Sequence, residues 1–253
     1  MSGLVAFADL DDTLFQTLRK LPGVDRAHLT PATLDTRGEP HSFSTPAQTA
    51  LLEWLACGGA TLIPVTGRDP QALGRVTLPL TSWRVADHGL TILTPGGELD
   101  QEWAAQVAAA LQPLQPALTS GHAQMTEWAA QAGCRVTQHS AAGLPFMTVV
   151  KHPAADPEPL AALRERWQGW LDTAGADLRL IGNANNLSLL PASLGKRAAV
   201  EYLRRKHFGN AQLVLGLGDS VSDLDFMAAC DFAVTPSQSQ LLRAALAAEL
   251  PQR

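Results

Sequence analysis

A strand–helix–strand rhythm opens the chain, stops near residue 90 and resumes near residue 190. The apolar run Gly3–Ala8 reads as a strand covered on both faces. A helix follows over "STPAQTALLEWLACGG", with a start cap at Ser44 or Thr45, proline in its first turn and glycine at its end. The next strand is "ATLIPV", although Pro64 is unwelcome in a central strand. After about residue 190 come a helix in "GKRAAVEYLRRKHF", a strand in "AQLVLGLGD", a helix in "SDLDFMAAC", a strand in "FAVT" and a last helix. Such alternation builds a parallel sheet. Between the two stretches the order is helix, strand, strand, twice: Trp103, Val107 and Leu111 at helical spacing, then "CRVTQHS" and "LPFMTVVK", then "PEPLAALRERWQGWLDTAG", then "DLRLIG" and "NLSLLP". "LTILTPGGELD" and "HLTPATLDTRGEPHSF" each resemble a hairpin. The expected architecture is α/β: a Rossmann-like parallel-sheet core, residues 1–89 and 190–253, interrupted by an inserted α+β domain, residues 90–189.

Composition narrows the class. At 253 residues, with 46% hydrophobic and 17% charged residues, the chain can bury a large core in water. A net charge of −5 gives no sign of a nucleic-acid-binding surface. No apolar run approaches the roughly 18 residues of a membrane span, so neither nucleic acid nor membrane is an expected partner. Cys57, Cys134 and Cys230 are scattered, without a paired motif, as in a reducing compartment. Residues 1–8 lack a basic start and are too short for a signal peptide, so a cytoplasmic location is expected. The sequence leaves the oligomeric state open.

Acids stand where strands end. "AFADLDDT" closes the first strand and "LGLGDSVSD" a later one. In open α/β sheets, ligands bind at the carboxyl ends of strands. Two acidic strand ends meeting there repel each other unless a cation lies between them. An oxygen-only set without cysteine suits a hard ion, with Mg²⁺ the expected cofactor. Alternation along an extended stretch aims Asp9 and Asp11 into one site and Asp12 elsewhere.

These residues resemble a known family. "DLDDTL" fits the pattern D-x-D-x-T of the haloacid dehalogenase superfamily of phosphohydrolases. "IPVTGR", Lys196 in "LGKRAAV", and "GLGDSVSD" are similar to its second, third and fourth motifs, in the same order. The αββαββ insertion resembles the smaller subclass of its type-2 cap, found in sugar-phosphate phosphatases and a phosphomannomutase. The resemblance implies a Mg²⁺-dependent phosphatase acting on a small-molecule phosphate ester through an aspartyl-phosphate. Asp9 would be the nucleophile, and Asp11 the general acid and then the base. Mg²⁺ would sit among Asp9, the Asp11 carbonyl, Asp219 and Asp223. Thr66 and the backbone of Gly67 would donate to phosphate oxygens, and Lys196 would add positive charge. Thr13 would shape the loop, and Asp12 has no chemical role. Ser222 stands where many relatives have asparagine, which weakens the case for a phosphate contact there.

The candidates for substrate contact are Arg68, able to pair with phosphate or carboxylate, His88 where the chain would leave the core, and Asn183 and Asn186 in "GNANN". Two rival readings are weighed with the phosphatase. A phosphomutase needs a second, arginine-rich phosphate site, and the insert has few arginines. A non-catalytic binding module on the same scaffold would have lost the nucleophile or a metal acid, and neither is lost.

Overall fold

The structure is a computed structural model that describes residues 3–154, 156–183 and 186–249. In chain order, β1 (Leu4–Ala8), β2 (Gln16–Thr17), β3 (Thr30–Leu34), β4 (Pro40–Ser44), α1 (Pro46–Cys57), β5 (Thr61–Pro64), α2 (Pro70–Leu73), β6 (Arg84–Ala86) and β7 (Thr91–Leu93) come first. Then follow α3 (Gln101–Leu111), α4 (Gln115–Gln131), β8 (Arg135–Ala141), β9 (Leu144–Lys151), α5 (Pro157–Ala174), β10 (Leu178–Asn183) and β11 (Asn186–Pro191). The last are α6 (Lys196–His207), β12 (Leu213–Leu217), α7 (Leu224–Met227), β13 (Phe232–Val234) and α8 (Gln240–Glu249). The chain forms two compact units, Met1–Asp100 with Lys196–Arg253, and Gln101–Gly195.

In the first unit the strands order β13–β12–β1–β5, with every pairing parallel. The middle strands β1 and β12 are the two apolar runs that end in aspartate, so burial on both faces explains their composition. Ala6, Ala8, Leu10, Leu55, Leu73 and Leu217 pack into one buried cluster beside the sheet. Pro64 is accommodated because β5 lies at the sheet edge, where a missing N–H removes no ladder bond. Helix α1 starts at a reciprocal cap between Thr45 and Gln48 with Pro46 in its first turn. Residues 16–44 form a small antiparallel sheet of order β2–β4–β3. Its β3–β4 turn is fastened by Asp35, which accepts from the backbone of Arg37 and Glu39.

The stretch "LTILTPGGELD" forms a short antiparallel hairpin, as expected: the Thr94 N–H donates to the Glu98 carbonyl at 2.8 Å and the Asp100 N–H to the Ile92 carbonyl at 2.9 Å. Leu93 and Leu99 face each other across it, and β7 also pairs along its length with the preceding β6. Asp100 ends this unit's first segment, and the Tyr202 hydroxyl on α6 donates to its carboxylate at 3.0 Å.

The second unit is an antiparallel sheet of order β10–β11–β9–β8 with helices α3, α4 and α5. Ala142 and Gly143 both take positive φ, the geometry of a tight two-residue turn between β8 and β9. Trp167, Leu163, Phe146, Val150 and Leu189 are buried among its core side chains. The helix–strand–strand pattern thus appears twice, its first helix broken by a single turn at 112–114. Among the described residues, no helix is long and apolar enough to cross a membrane.

Candidate active site

Three strand ends supply the acids and the hydroxyl of the site. β1 runs into Asp9, whose N–H donates to the Leu217 carbonyl at the end of β12 at 2.8 Å. β12 continues through Gly218 to Asp219, and β5 continues through Val65 to Thr66. Parallel neighbours in register place these ends side by side. One oxygen each from Asp9, Asp219 and Asp223 lies within 4.8 Å of the others.

Lys196, the first residue of α6, reaches into this group. Its Nζ donates to Asp9 Oδ1 and to Asp223 Oδ1, both at 2.6 Å. Burial works against its ammonium, but Asp9 and then Asp223 outweigh it and hold its pKa above the ordinary lysine value. The Phe226 ring beneath the ammonium, 5.6 Å away, adds a cation–π contact. At Asp9 burial pushes the carboxyl up and the Lys196 charge pulls against it. Burial pushes Asp219 up to about 6, and the charges of Asp223 and Asp12 add to the rise.

Asp223 has little freedom. Its Oδ2 accepts from the backbone N–H of Asp219 and Ser220 and from the Ser220 hydroxyl, at 3.2, 3.0 and 2.8 Å. Burial raises its pKa, but Lys196 and then Ser220 outweigh that and hold it below the usual carboxylate range. Asp223 therefore fixes Lys196 and the Asp219 loop at once. Ser220 was not singled out in the sequence, although a serine three residues before an aspartate is a capping signal. Ser222 lies 2.7 Å from Ser220 Oγ, within this hydroxyl chain. Gly218 lets the loop close: a methyl there would lie 2.5 Å from the Asp223 Cβ.

Thr13 is buried and donates a long 3.4 Å bond to Asp219 Oδ1. Thr66 is buried, and its Oγ1 accepts from the Arg68 N–H at 3.2 Å. Arg68 pairs with a carboxylate: Nε and Nη2 each lie 2.7 Å from one oxygen of Asp11. Asp12 departs from the alternation argument. Its φ of 65° takes the chain out of the extended form after Asp11, so it lines the same cavity of about 780 Å³ as Thr13 and Asp219. There it pairs with Lys20.

His88 lies in the β6–β7 turn, where Asp87, His88 and Gly89 have φ of 50°, 56° and 106°. This turn braces the Thr66–Arg68 loop. The His88 N–H donates to the Thr66 carbonyl at 3.0 Å and the Asp87 N–H to the Arg68 carbonyl at 2.8 Å. Gly67 packs beside it: a methyl there would lie 2.5 Å from His88 Cε1, so the ring would have to shift. Asp87 is buried and accepts from Thr91 Oγ1 at 2.6 Å; burial pushes it up to about 6, with a further rise from Asp69. Asn186 begins β11 in the second unit, whereas the Asn183 side chain and Asn185 lie outside the described residues.

Three carboxylates and one ammonium leave two negative charges in a largely buried oxygen cluster. That donor set fits a hard divalent cation. It does not suit a soft metal, since neither sulfur nor imidazole belongs to the cluster.

No protein-family model matches the chain, and no curated protein matches it. Solved structures do. A sucrose-phosphatase from Synechocystis sp. PCC6803, solved with sucrose and phosphate, aligns at 21% identity and a TM-score of 0.57, covering 100% of this chain and 90% of that one. The C-terminal domain of Candida albicans trehalose-6-phosphate phosphatase aligns at 16% identity and a TM-score of 0.59, covering 88% and 72%. A haloacid dehalogenase-like hydrolase from Bacillus subtilis aligns at 15% identity and a TM-score of 0.55, covering 95% and 91%. The alignments cover 88% to 100% of this chain, and its parallel-sheet core with an α+β unit has the fold of the haloacid dehalogenase-like hydrolases.

Proposed function

We propose that the protein is a Mg²⁺-dependent phosphatase of small phosphorylated metabolites, working through an aspartyl-phosphate on Asp9. The carrying observation is the buried Asp9–Lys196–Asp223 bridge with Asp219 alongside, at the carboxyl ends of β1 and β12. Asp9, Asp219, Asp223 and the Asp11 carbonyl would hold the ion, which lowers the repulsion between a carboxylate nucleophile and a phosphoryl group. The Asp9 carboxylate attacks phosphorus and forms the new P–O bond while the bond to the leaving oxygen breaks. Asp11 protonates that oxygen, so an alcohol leaves. Asp11 then takes a proton from water, whose oxygen attacks the same phosphorus, frees phosphate and restores Asp9. Lys196 holds the attacking carboxylate in place and offsets charge on the phosphoryl oxygens. Thr66 and the Gly67 N–H would donate to those oxygens.

The substrate class we favour is a sugar phosphate. Two structures with this fold carry the names of a sucrose-phosphatase and a trehalose-6-phosphate phosphatase. Asp9→Asn should lower turnover of an aryl phosphate with Mg²⁺ by at least about a thousandfold. Unchanged turnover would refute the nucleophile. A panel of phosphorylated sugars, nucleotides and acids, read as released phosphate, tests the substrate class, and a preference for nucleotides or acids would overturn it.

A further inference from the structure

The Arg68–Asp11 pair is not explained by the chemistry above. Its side chains are unequal partners. Arg68 is held: 17% of its side chain is exposed, its guanidinium lies over the Phe15 ring at 5.2 Å, and its backbone belongs to the braced Thr66–Arg68 loop. Asp11 is 49% exposed in its side chain. Asp11, not Arg68, is therefore the side free to move. Arg68 also stands in the field of Asp9, whose charge adds to that of Asp11 in favouring the guanidinium cation against its burial. It thus sits near where a group attacked by Asp9 must lie.

As the pair stands, neither partner is available. Both oxygens of Asp11 are engaged, and the guanidinium fork that could take a phosphate is filled by a carboxylate. A guanidinium fork suits either anion. We infer that Arg68 is a positioning residue that changes partners: two phosphoryl oxygens of the incoming ester displace the Asp11 carboxylate from its fork and so release Asp11 toward the leaving group. The exchange breaks no covalent bond: one bidentate ion pair replaces another, and the freed Asp11 carboxylate takes up a proton from solvent before it serves as the acid. It rests on the phosphatase reading for the later task of Asp11, while the capture of the anion stands apart from turnover. It links phosphate binding to the freeing of the acid, so that Asp11 swings out only when an ester is bound.

The consequence is measurable without catalysis. A site whose competent form is only partly populated binds more weakly by that fraction. Asp11→Ala should therefore bind inorganic phosphate about fivefold more tightly than the parent, by calorimetry at fixed Mg²⁺. Deleting a negative charge also strengthens anion binding, so the cycle is completed with Arg68→Met and the double variant. The gain should vanish when residue 68 is methionine. Arg68→Lys keeps the charge but not the fork; it should remove most of the gain and serves if the methionine variant does not fold. A gain that persists without the arginine, no gain, or no phosphate binding by any of these proteins would overturn the exchange. A protein that binds phosphate with this coupling yet hydrolyses no ester would sink the catalytic reading and leave the exchange standing. A hydrolase without the coupling would do the reverse.

Discussion

Lys196 joins two carboxylates that burial would otherwise set against each other. Removing one partner from such a group leaves the remaining charges uncompensated. Lys196→Met should cost about 3–5 kcal/mol of stability in denaturant unfolding. Asp87 gives a second test. Its carboxyl is raised in the folded protein, from 3.8 to about 6, by burial first. A raised acid contributes stability below its unfolded value and loses it as pH climbs through the folded one. Relative to Asp87→Asn, the parent should therefore lose about 2–3 kcal/mol between roughly pH 4 and pH 7. Equal pH slopes of melting temperature in the two proteins would contradict this. Asp9, Lys196, Asp219 and Asp223 were readable because each stands at a strand end or helix start within a short motif. Ser220 and the Asp11–Arg68 pair were not, because their geometry depends on turns and on residues 57 apart in the chain. Arg68 was readable as a residue seeking an anion, but not which anion.

At the scale of elements, the strand and helix assignments followed from apolar runs and caps, which are local. The misread pieces were turns. Asp12 leaves the extended form, and β7 pairs with β6 besides closing its own hairpin, because positive φ and register are set by tertiary fit. The run of three left-handed residues at 87–89 is costly unless the surroundings enforce it. Its hydrogen bonds to both ends of the Thr66–Arg68 loop are what it provides. Gly67→Ala should push the His88 ring away and displace this loop, lowering kcat/KM about 10- to 100-fold. His88→Gly in the same chain removes both the ring and the strained side chain, and should restore most of the activity. Failure of that rescue would show that the methyl acts in some other way.

For the whole molecule, the division into two units predicts uneven protection. The acidic cluster belongs wholly to the first unit. Mg²⁺ should slow hydrogen exchange in peptides of β1, β12 and α6 and leave residues 101–195 unchanged. The change of rhythm in the sequence made the parallel sheet and the antiparallel sheet readable, while the order of the central strands needed their side-by-side register. That order also bears on how copies of the protein behave when crowded. The rim at β5 is covered where it ends: Pro64 is buried and the Thr66 N–H donates to the Val85 carbonyl of β6 at 2.9 Å, so that end is closed to a strand arriving from another molecule.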